Sequence, residues 1–151
     1  PPRSTLFPYT TLFRSLFRND INRHISQLVT TVVSTTRSPW LSGFKAGELH
    51  TVAVSHGEGK FVVNPGQARQ LFENGQVAFR YADPATGMPT MESPFNPNGS
   101  FFAIEGVISP DGLVLGKMGH SERAGRDLYR NIPSPVGESI FTNAVNYFRK
   151  A

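Results

Sequence analysis

The sequence predicts an α/β domain, in which helices pack on a β-sheet. Residues 25–33 form an apolar run rich in β-branched side chains, which is typical of a strand. Residues 106–108 and 113–115 are two short apolar runs joined by a Pro-Asp-Gly turn, which predicts a β-hairpin. Residues 140–148 repeat apolar side chains at spacings of three and four, the pattern of an amphipathic helix.

The remaining elements follow from the same patterns. Residues 51–54 and 61–63 are short apolar runs and are predicted strands. Residues 65–75 begin with Pro-Gly, continue with helical spacing and end at Asn-Gly, so they predict a short helix. Residues 76–81 return to a strand pattern, and residues 82–100 consist almost entirely of turn residues. A loop of that length in a compact domain is usually functional or mobile.

Composition narrows the class of protein. Of the 151 residues, 38% are hydrophobic and 17% are charged, which fits one soluble globular domain, and no apolar stretch approaches the ~20 residues of a membrane span. The net charge is +4, but the basic residues are scattered, so nucleic-acid binding is not predicted. The chain has no cysteine, which excludes disulfides and thiolate metal ligands and is compatible with the cytosol. No metal site is predicted.

Residues 1–15 do not fit the pattern of the domain predicted from the residues that follow them. The segment is too short and too interrupted by proline for the apolar region of a signal peptide, and it has no small-residue cleavage site. It resembles the conceptual translation of a short-read sequencing adapter along its whole length. We therefore expect a non-native tail over residues 1–15 and native sequence over residues 16–151. A flexible native tail is the alternative.

His120 and Glu122 are the candidate catalytic pair. Two residues apart in extended chain, their side chains point the same way. An imidazole oriented by a carboxylate is two-thirds of a nucleophile-activating triad, and the missing third is the nucleophile, since the chain has no cysteine. Solvated surfaces also produce such pairs by chance, so the motif alone leaves both interpretations open.

The loop of residues 55–59, Ser-His-Gly-Glu-Gly, lies between two predicted strands. Gly57 and Gly59 allow the backbone to turn sharply and to approach a ligand closely. The loop lacks the Gly-Lys-Ser/Thr ending and the following helix of a phosphate-binding loop. It is either a ligand-binding loop or a tight hairpin with a solvated His and Glu.

Four motifs occur in one order: Ser-His-Gly-Glu-Gly at 55–59, Phe-Arg-Tyr at 79–81, Asn-Pro-Asn-Gly-Ser at 96–100 and Gly-His-Ser-Glu-Arg at 119–123. This series resembles the glutaminase domains of phosphoribosylformylglycinamidine synthases, purine-biosynthesis ligases of the class I glutamine amidotransferase type, over about residues 16–151. The resemblance implies part of a flavodoxin-like, three-layer α/β domain with a mixed sheet, whose N-terminal half is missing. Such a fragment would leave a sheet edge and apolar faces uncovered.

The resemblance also implies residue roles. His120 would be the general base and acid of a Cys-His-Glu triad, and Glu122 would fix its tautomer. Family members commonly carry proline where Ser121 stands, a position with no chemical task. Four loop residues would bind the amino-acid end of glutamine: Ser55, His56, Gly57 and Glu58.

The cysteine of this family lies on an elbow upstream of everything in this sequence, so we expect the chain alone to be inactive. No cofactor is implied for this segment, because ATP and Mg²⁺ belong to the synthetase domain. That domain is the expected partner, fused on the N-terminal side, in a cytoplasmic enzyme. The alternatives are the glutaminase domain of a different amidotransferase and a nucleophile-free binding or regulatory module.

Overall fold

The computed structural model describes residues 16–125, 128, 129, 132 and 137–149; the predicted tail, residues 1–15, lies outside this range. The described residues form eight strands and two α-helices. In chain order these are β1 (Leu16–Phe17), β2 (Ile25–Val33), β3 (Leu49–His56), β4 (Lys60–Phe61), α1 (Pro65–Glu73), β5 (Val77–Tyr81), β6 (Ile104–Ile108), β7 (Leu115–Lys117), β8 (Gly119–His120) and α2 (Ile140–Arg149). Single 3₁₀ turns occur at Pro39–Leu41 and Phe101–Ala103.

Local sequence chemistry sets the bounds of helix α1. The Asn64 side chain accepts a hydrogen bond from Gln67 N (2.8 Å), and the Gln67 side chain accepts one from Asn64 N (3.2 Å), which completes a capping box. Pro65 occupies the first turn, where its missing N–H is no loss. Gly75 follows the helix with a φ of +62°, a conformation that favours glycine. The predicted helix over residues 65–75 is confirmed.

The predicted strands are confirmed with two exceptions in extent. One is the second run of the hairpin: the prediction covers residues 113–115, but β7 is Leu115–Lys117, so only Leu115 is shared. The strand predicted over residues 25–33 coincides with β2, and the hairpin predicted around the Pro-Asp-Gly turn is formed by β6 and β7. The strand predicted over residues 61–63 is wrong in extent, because β4 ends at Phe61 and pairs with β1 rather than with β3.

Six strands form one sheet in the order β7-β6-β5-β2-β3-β8. Every pair among these described strands is antiparallel. The described strands therefore include none of the parallel pairs that the expected mixed sheet would also contain. A parallel pair needs a crossover of a dozen or more residues, usually a helix. The strand-to-strand connection that contains α1 leaves from β4, which is not part of the six-stranded sheet.

The two outermost strands of this sheet are consecutive in the chain. Met118 alone separates β7 from β8, and its backbone N donates to Glu105 O at 3.0 Å. Because two peptide units span only about 7 Å, the two edge strands come close together at Met118. Among the described strands, β7 pairs only with β6 and β8 only with β3, so each keeps one unpaired edge. His120 therefore lies on an edge strand of the sheet.

The two helices cover opposite faces of the sheet. Val107 and Ile108 are adjacent on β6 and so point to opposite sides. Val107 belongs to a buried cluster that contains Ala68 of α1, whereas Ile108 belongs to one that contains Ile140 of α2. The arrangement is helix, sheet, helix, and the predicted three-layer α/β class is confirmed.

Helix α2 also presents an apolar surface to solvent, as expected. Phe141, Val145 and Phe148 are 52%, 48% and 58% exposed, although they share the apolar stripe of the helix with buried Ile140 and Ala144. Neither helix in the described part of the chain is long and apolar enough to cross a lipid bilayer.

Candidate active site

Strand pairing brings the two predicted site regions together. His120 on β8 is paired with Ala53 on β3, and Gly119 is paired with Val54. Two residues further along β3, the carbonyl oxygen of Ser55 lies 3.5 Å from His120 Nε2. The predicted catalytic histidine therefore stands beside the start of the predicted glutamine-binding loop.

His120 and Glu122 are in direct contact. The distance from His120 Nδ1 to Glu122 Oε1 is 2.6 Å. Glu122 lies just past β8 in a turn that is closed by a hydrogen bond from Arg123 N to His120 O at 3.2 Å. Partial burial raises the pKa of Glu122, but hydrogen bonds from its own backbone and from His120 outweigh this, so its pKa lies below the usual value. An ionised Glu122 is suited to orient the imidazole.

The pair is accessible to a substrate. The His120 side chain is 29% exposed, and His120 and Glu122 line a groove of about 390 Å³. The rest of this groove is lined by residues 115–119, Ser121, Trp40, Ile140 and Phe141. With Nδ1 directed to the carboxylate, Nε2 is the nitrogen that can take and return a proton.

The predicted glutamine-binding residues divide into two groups. Ser55 and His56 are half-buried at the end of β3, and His24 Nε2 lies 3.1 Å from Ser55 Oγ. Gly57 and Glu58 lie beyond the strand, and Glu58 is exposed, 3.9 Å from Arg18 Nε. Among the hydrogen bonds of the described residues, none joins Glu58 to Ser55, His56 or His120. The structure thus brings Ser55 to the catalytic pair, whereas the His56 ring lies against Gly59 and Asn98 and Glu58 lies near Arg18.

The ring of His56 packs directly on Gly59. A Cβ at position 59 would lie 2.1 Å from Cε1 of His56, so only glycine fits there. Burial lowers the pKa of His56, and the nearby His120 and His24 lower it further. His24 and His120 both contact Ser55, the residue before His56, but no group of three metal-ligating side chains occurs among the described residues.

Sequence reasoning missed Asn19, which holds the loop of residues 55–59. Asn19 is 2% exposed, and its Nδ2 donates to His56 O at 2.7 Å while its Oδ1 accepts from Gly59 N at 3.1 Å. Its backbone N donates to Gly57 O at 3.0 Å. One buried asparagine thus binds three backbone groups of the loop, those of His56, Gly57 and Gly59. Nothing but the turn-prone character of Asn-Asp marked this position in the sequence.

Asn98, in the Asn-Pro-Asn-Gly-Ser motif, lies against the same loop. Its side chain is fully buried, and Nδ2 donates to the Tyr81 hydroxyl at 2.6 Å and lies 3.4 Å from His56 Nε2. Burial raises the pKa of Tyr81 well above its usual value. In the same motif, Ser100 Oγ donates to Gly59 O at 3.3 Å. The sequence motifs at residues 79–81 and 96–100 therefore come together with the motif at residues 55–59.

The chain is similar to known proteins of one family. A family model for CobB/CobQ-like glutamine amidotransferase domains matches residues 6–148. The chain is 42% identical over 110 residues to phosphoribosylformylglycinamidine synthase subunit PurQ of Thermomicrobium roseum, covering 73% of this chain and 45% of that protein. It is 40% identical over 127 residues to the subunit PurQ of Chlorobaculum tepidum, covering 84% and 52%.

A solved structure is also similar. A chain of the structure of PurLQS from Thermotoga maritima superposes with a TM-score of 0.65 at 27% identity, covering 88% of this chain and 52% of that one. The present chain spans about half the length of the curated relatives it matches.

Proposed function

Because the chain belongs to the CobB/CobQ-like glutamine amidotransferase domain family, we propose that it carries the imidazole–carboxylate half of a glutaminase site. The 2.6 Å contact between His120 Nδ1 and Glu122 Oε1 carries this proposal, since it sets up Nε2 as a proton acceptor beside the loop of residues 55–59.

The proposed reaction hydrolyses the side-chain amide of glutamine. A cysteine from outside these 151 residues attacks the amide carbon, and His120 Nε2 takes the thiol proton. The imidazolium, stabilised by Glu122, returns that proton to the nitrogen that leaves as ammonia. Water then attacks the thioester, giving up a proton to His120, and glutamate is released as the thiol is restored.

We propose that the loop binds the amino-acid end of glutamine through Ser55, His56, Gly57 and Glu58. The contact of Ser55 O with His120 Nε2 supports the part of Ser55, and His56 follows Ser55 directly at the end of β3. Glu58 would require its exposed side chain to leave Arg18 and turn towards the substrate. The anchoring of the loop by Asn19 gives it the fixed backbone that an amino-acid site needs.

For the whole protein we propose a phosphoribosylformylglycinamidine synthase that uses the ammonia to amidate formylglycinamide ribonucleotide. Residues 16–151 would be the C-terminal portion of its glutaminase domain, and residues 1–15 a non-native tail. The relatives named PurQ and the similarity to a chain of PurLQS support a synthetase partner, which we propose is fused N-terminally and binds ATP and Mg²⁺. The enzyme would be cytoplasmic.

One observation favours a second candidate, a nucleophile-free binding or regulatory module: the 151 residues contain no cysteine. The two candidates differ in what the complete genomic reading frame encodes. We therefore propose to sequence the source DNA across residues 15 and 16 with long reads, and to express the complete reading frame beside the 151-residue chain.

The measurement is release of glutamate and ammonia from glutamine. We expect activity from the complete product and none from the 151-residue chain. H120N should abolish the activity, whereas E73Q, which alters an exposed surface pair with Arg69, should not change it. Hydrolysis above buffer background by the 151-residue chain would contradict its expected inactivity. A complete product without an elbow cysteine and without hydrolysis would favour the binding module.

A further inference from the structure

A cluster of buried charges lies beneath the strand that carries His120. It contains the carboxylates of Glu105 and Glu138, both with fully buried side chains, and the ammonium of Lys117, whose side chain is 8% exposed. Lys117 Nζ donates directly to Glu138 and lies 3.9 Å from Glu105 Oε1. One cation is therefore shared by two carboxylates, and it also lies 4.5 Å from the centre of the Phe79 ring.

The two carboxylates hold the residues on either side of His120. The backbone N–H of Gly119 donates to Glu105 Oε1, and the hydroxyl of Ser121 donates to Glu138 Oε2 at 2.6 Å. Lys117 Nζ also lies 3.1 Å from Ser121 Oγ. A Cβ at position 119 would come within 2.8 Å of Glu105 Oε1, so glycine is needed for this close approach.

These anchors matter because β8 is short. Its pairing with β3 involves only Gly119 and His120, and the chain then turns away towards Glu122. Glu138 comes from just before α2, and it also contacts His50 Nδ1 at 3.3 Å and Thr31 Oγ1 at 3.4 Å. The position of His120 is thus tied to the sheet and to the segment that leads into the C-terminal helix.

The pKa values of Glu138 and Glu105 are consistent with this anchoring of β8. Burial alone would raise the pKa of Glu138, but hydrogen bonds from His50, Lys117 and Ser121 and the Lys117 charge outweigh it and hold the pKa at about 2. Burial raises the pKa of Glu105, and the more distant Lys117 offsets this only in part. Glu138 is therefore the firmly ionised partner of the lysine, while Glu105 is the carboxyl that accepts a proton more readily.

We propose that Lys117, Ser121 and Glu138 are positioning residues for the proposed glutaminase reaction, acting through the backbone that flanks His120. This inference rests on the proposed function of His120. It gives Ser121 a specific task, although the middle position of the His-Ser-Glu motif has none in the chemistry itself. The hydroxyl ties the residue after the imidazole to a buried carboxylate. A proline at this position has no side-chain donor and could not make that contact.

The first test uses the complete glutaminase with S121A and E138Q. Displacing a general base by a fraction of an ångström to 1 Å lowers turnover without removing substrate contacts, so we expect kcat to fall by about 10- to 100-fold while KM for glutamine changes less than about 3-fold. The matched control is E48Q, because Glu48 also pairs with His50, at 3.0 Å, but touches neither Lys117 nor Ser121. E48Q should leave both constants unchanged.

The second test needs no glutaminase activity and uses the 151-residue chain. The Nδ1–H proton of His120 should give a strongly deshielded NMR signal because of its short contact with Glu122. We expect S121A and E138Q to shift or broaden that signal and E48Q to leave it in place. If E138Q prevents folding, the double variant K117M/E138Q replaces the ion pair by neutral groups of similar size and supplies the same comparison.

The two tests separate the possible failures. If S121A and E138Q lower stability but leave kcat and the His120 signal as in E48Q, the cluster is merely structural and the proposal is overturned. If the complete protein has no glutaminase activity, the proposed function fails. The NMR comparison then still decides whether these residues position His120.

Discussion

The strand that carries His120 and the loop of residues 55–59 meet at the candidate site but are anchored by different chemistry. The strand is tied down by buried charges, through Glu105, Glu138 and Lys117. The loop is tied down by neutral groups, chiefly the side-chain amide of Asn19 and the hydroxyl of Ser100. A buried charge network is worth little net stability when complete but is costly to break at one member. Removal of one partner of a buried neutral hydrogen bond costs less, about 1–3 kcal/mol.

The difference follows from what each side must hold. The loop offers backbone N–H and C=O groups, which amides and hydroxyls satisfy without any net charge. The strand places Gly119 N–H and Ser121 Oγ against carboxylates, whose charge must be balanced in the interior. Lys117 supplies that balance. Loss of a single charged side chain should therefore destabilise the strand that carries His120. The anchoring of the loop of residues 55–59 contains no such charge to lose.

The largest expected effect is the loss of Lys117. K117M leaves two buried carboxylates without their cation, and we expect the free energy of unfolding to fall by about 3–5 kcal/mol. K117M/E138Q should recover most of this loss, since the remaining carboxyl, Glu105, has a raised pKa and can take a proton. Chemical denaturation of the 151-residue chain measures both, with K45M at an exposed position as the control. Equal losses in the single and double variants would contradict a charge-balanced cluster.

Removal of the Asn19 amide comes next. N19A leaves the buried Gly59 N–H without its acceptor and His56 O without its donor, and we expect a loss of about 2–3 kcal/mol. No charge is uncovered, so the loss should be the same at pH 6 and pH 8. The control is N146A, because Asn146 is exposed on α2 and alanine is the better helix former. If N19A lowered the free energy of unfolding as much as K117M, charged and neutral anchors would not differ in their effect on stability.

The sequence was informative where structure depends on local chemistry. Strand β2, the capped helix α1 and the β6–β7 hairpin were predictable because their signals lie within a few residues. The His120–Glu122 pair was predictable for the same reason.

The anchors were not predictable, because they join residues far apart in the chain. Ser121 meets Glu138, and Asn19 meets Gly59 forty residues later. In a single sequence, a buried Lys or Glu cannot be told from an exposed one, and a buried Asn looks like an ordinary turn residue. The approach of the two edge strands at Met118 was missed because it depends on the pairing of β8 with distant β3.

The third prediction compares two histidines, one on each side. Burial lowers the pKa of His50, but hydrogen bonds to Glu138 and Glu48 outweigh it, so the pKa is raised above 6.5. The stabilising effect of His50 is therefore present below pH 6.5 and is lost as pH rises through its folded pKa. His56 is the reverse, because burial lowers its pKa. Its stabilising effect is present above pH 6.5 and is lost as pH falls through its folded pKa.

NMR titration of the 151-residue chain measures both values, since it has only four histidines to assign. We expect His50 to titrate above 6.5 and His56 below it. E138Q should move the His50 value down and leave the His56 value where it is. A common titration point for the two rings would show that the two sides share one electrostatic environment.

The smallest expected effect on stability lies at the outer end of the loop. Glu58 and Arg18 are 69% and 76% exposed and 3.9 Å apart, so E58Q should change the free energy of unfolding by about 0.5 kcal/mol or less. If Glu58 binds glutamine as proposed, E58Q in the complete enzyme should nevertheless raise KM by at least about 10-fold. A charged hydrogen-bond partner contributes about 1.5–3 kcal/mol, enough for such a change. The surface variant E73Q, with an exposed carboxylate in a similar pair, should alter neither quantity. An unchanged KM in E58Q would confine the glutamine site to Ser55, His56 and Gly57, next to the anchored strand.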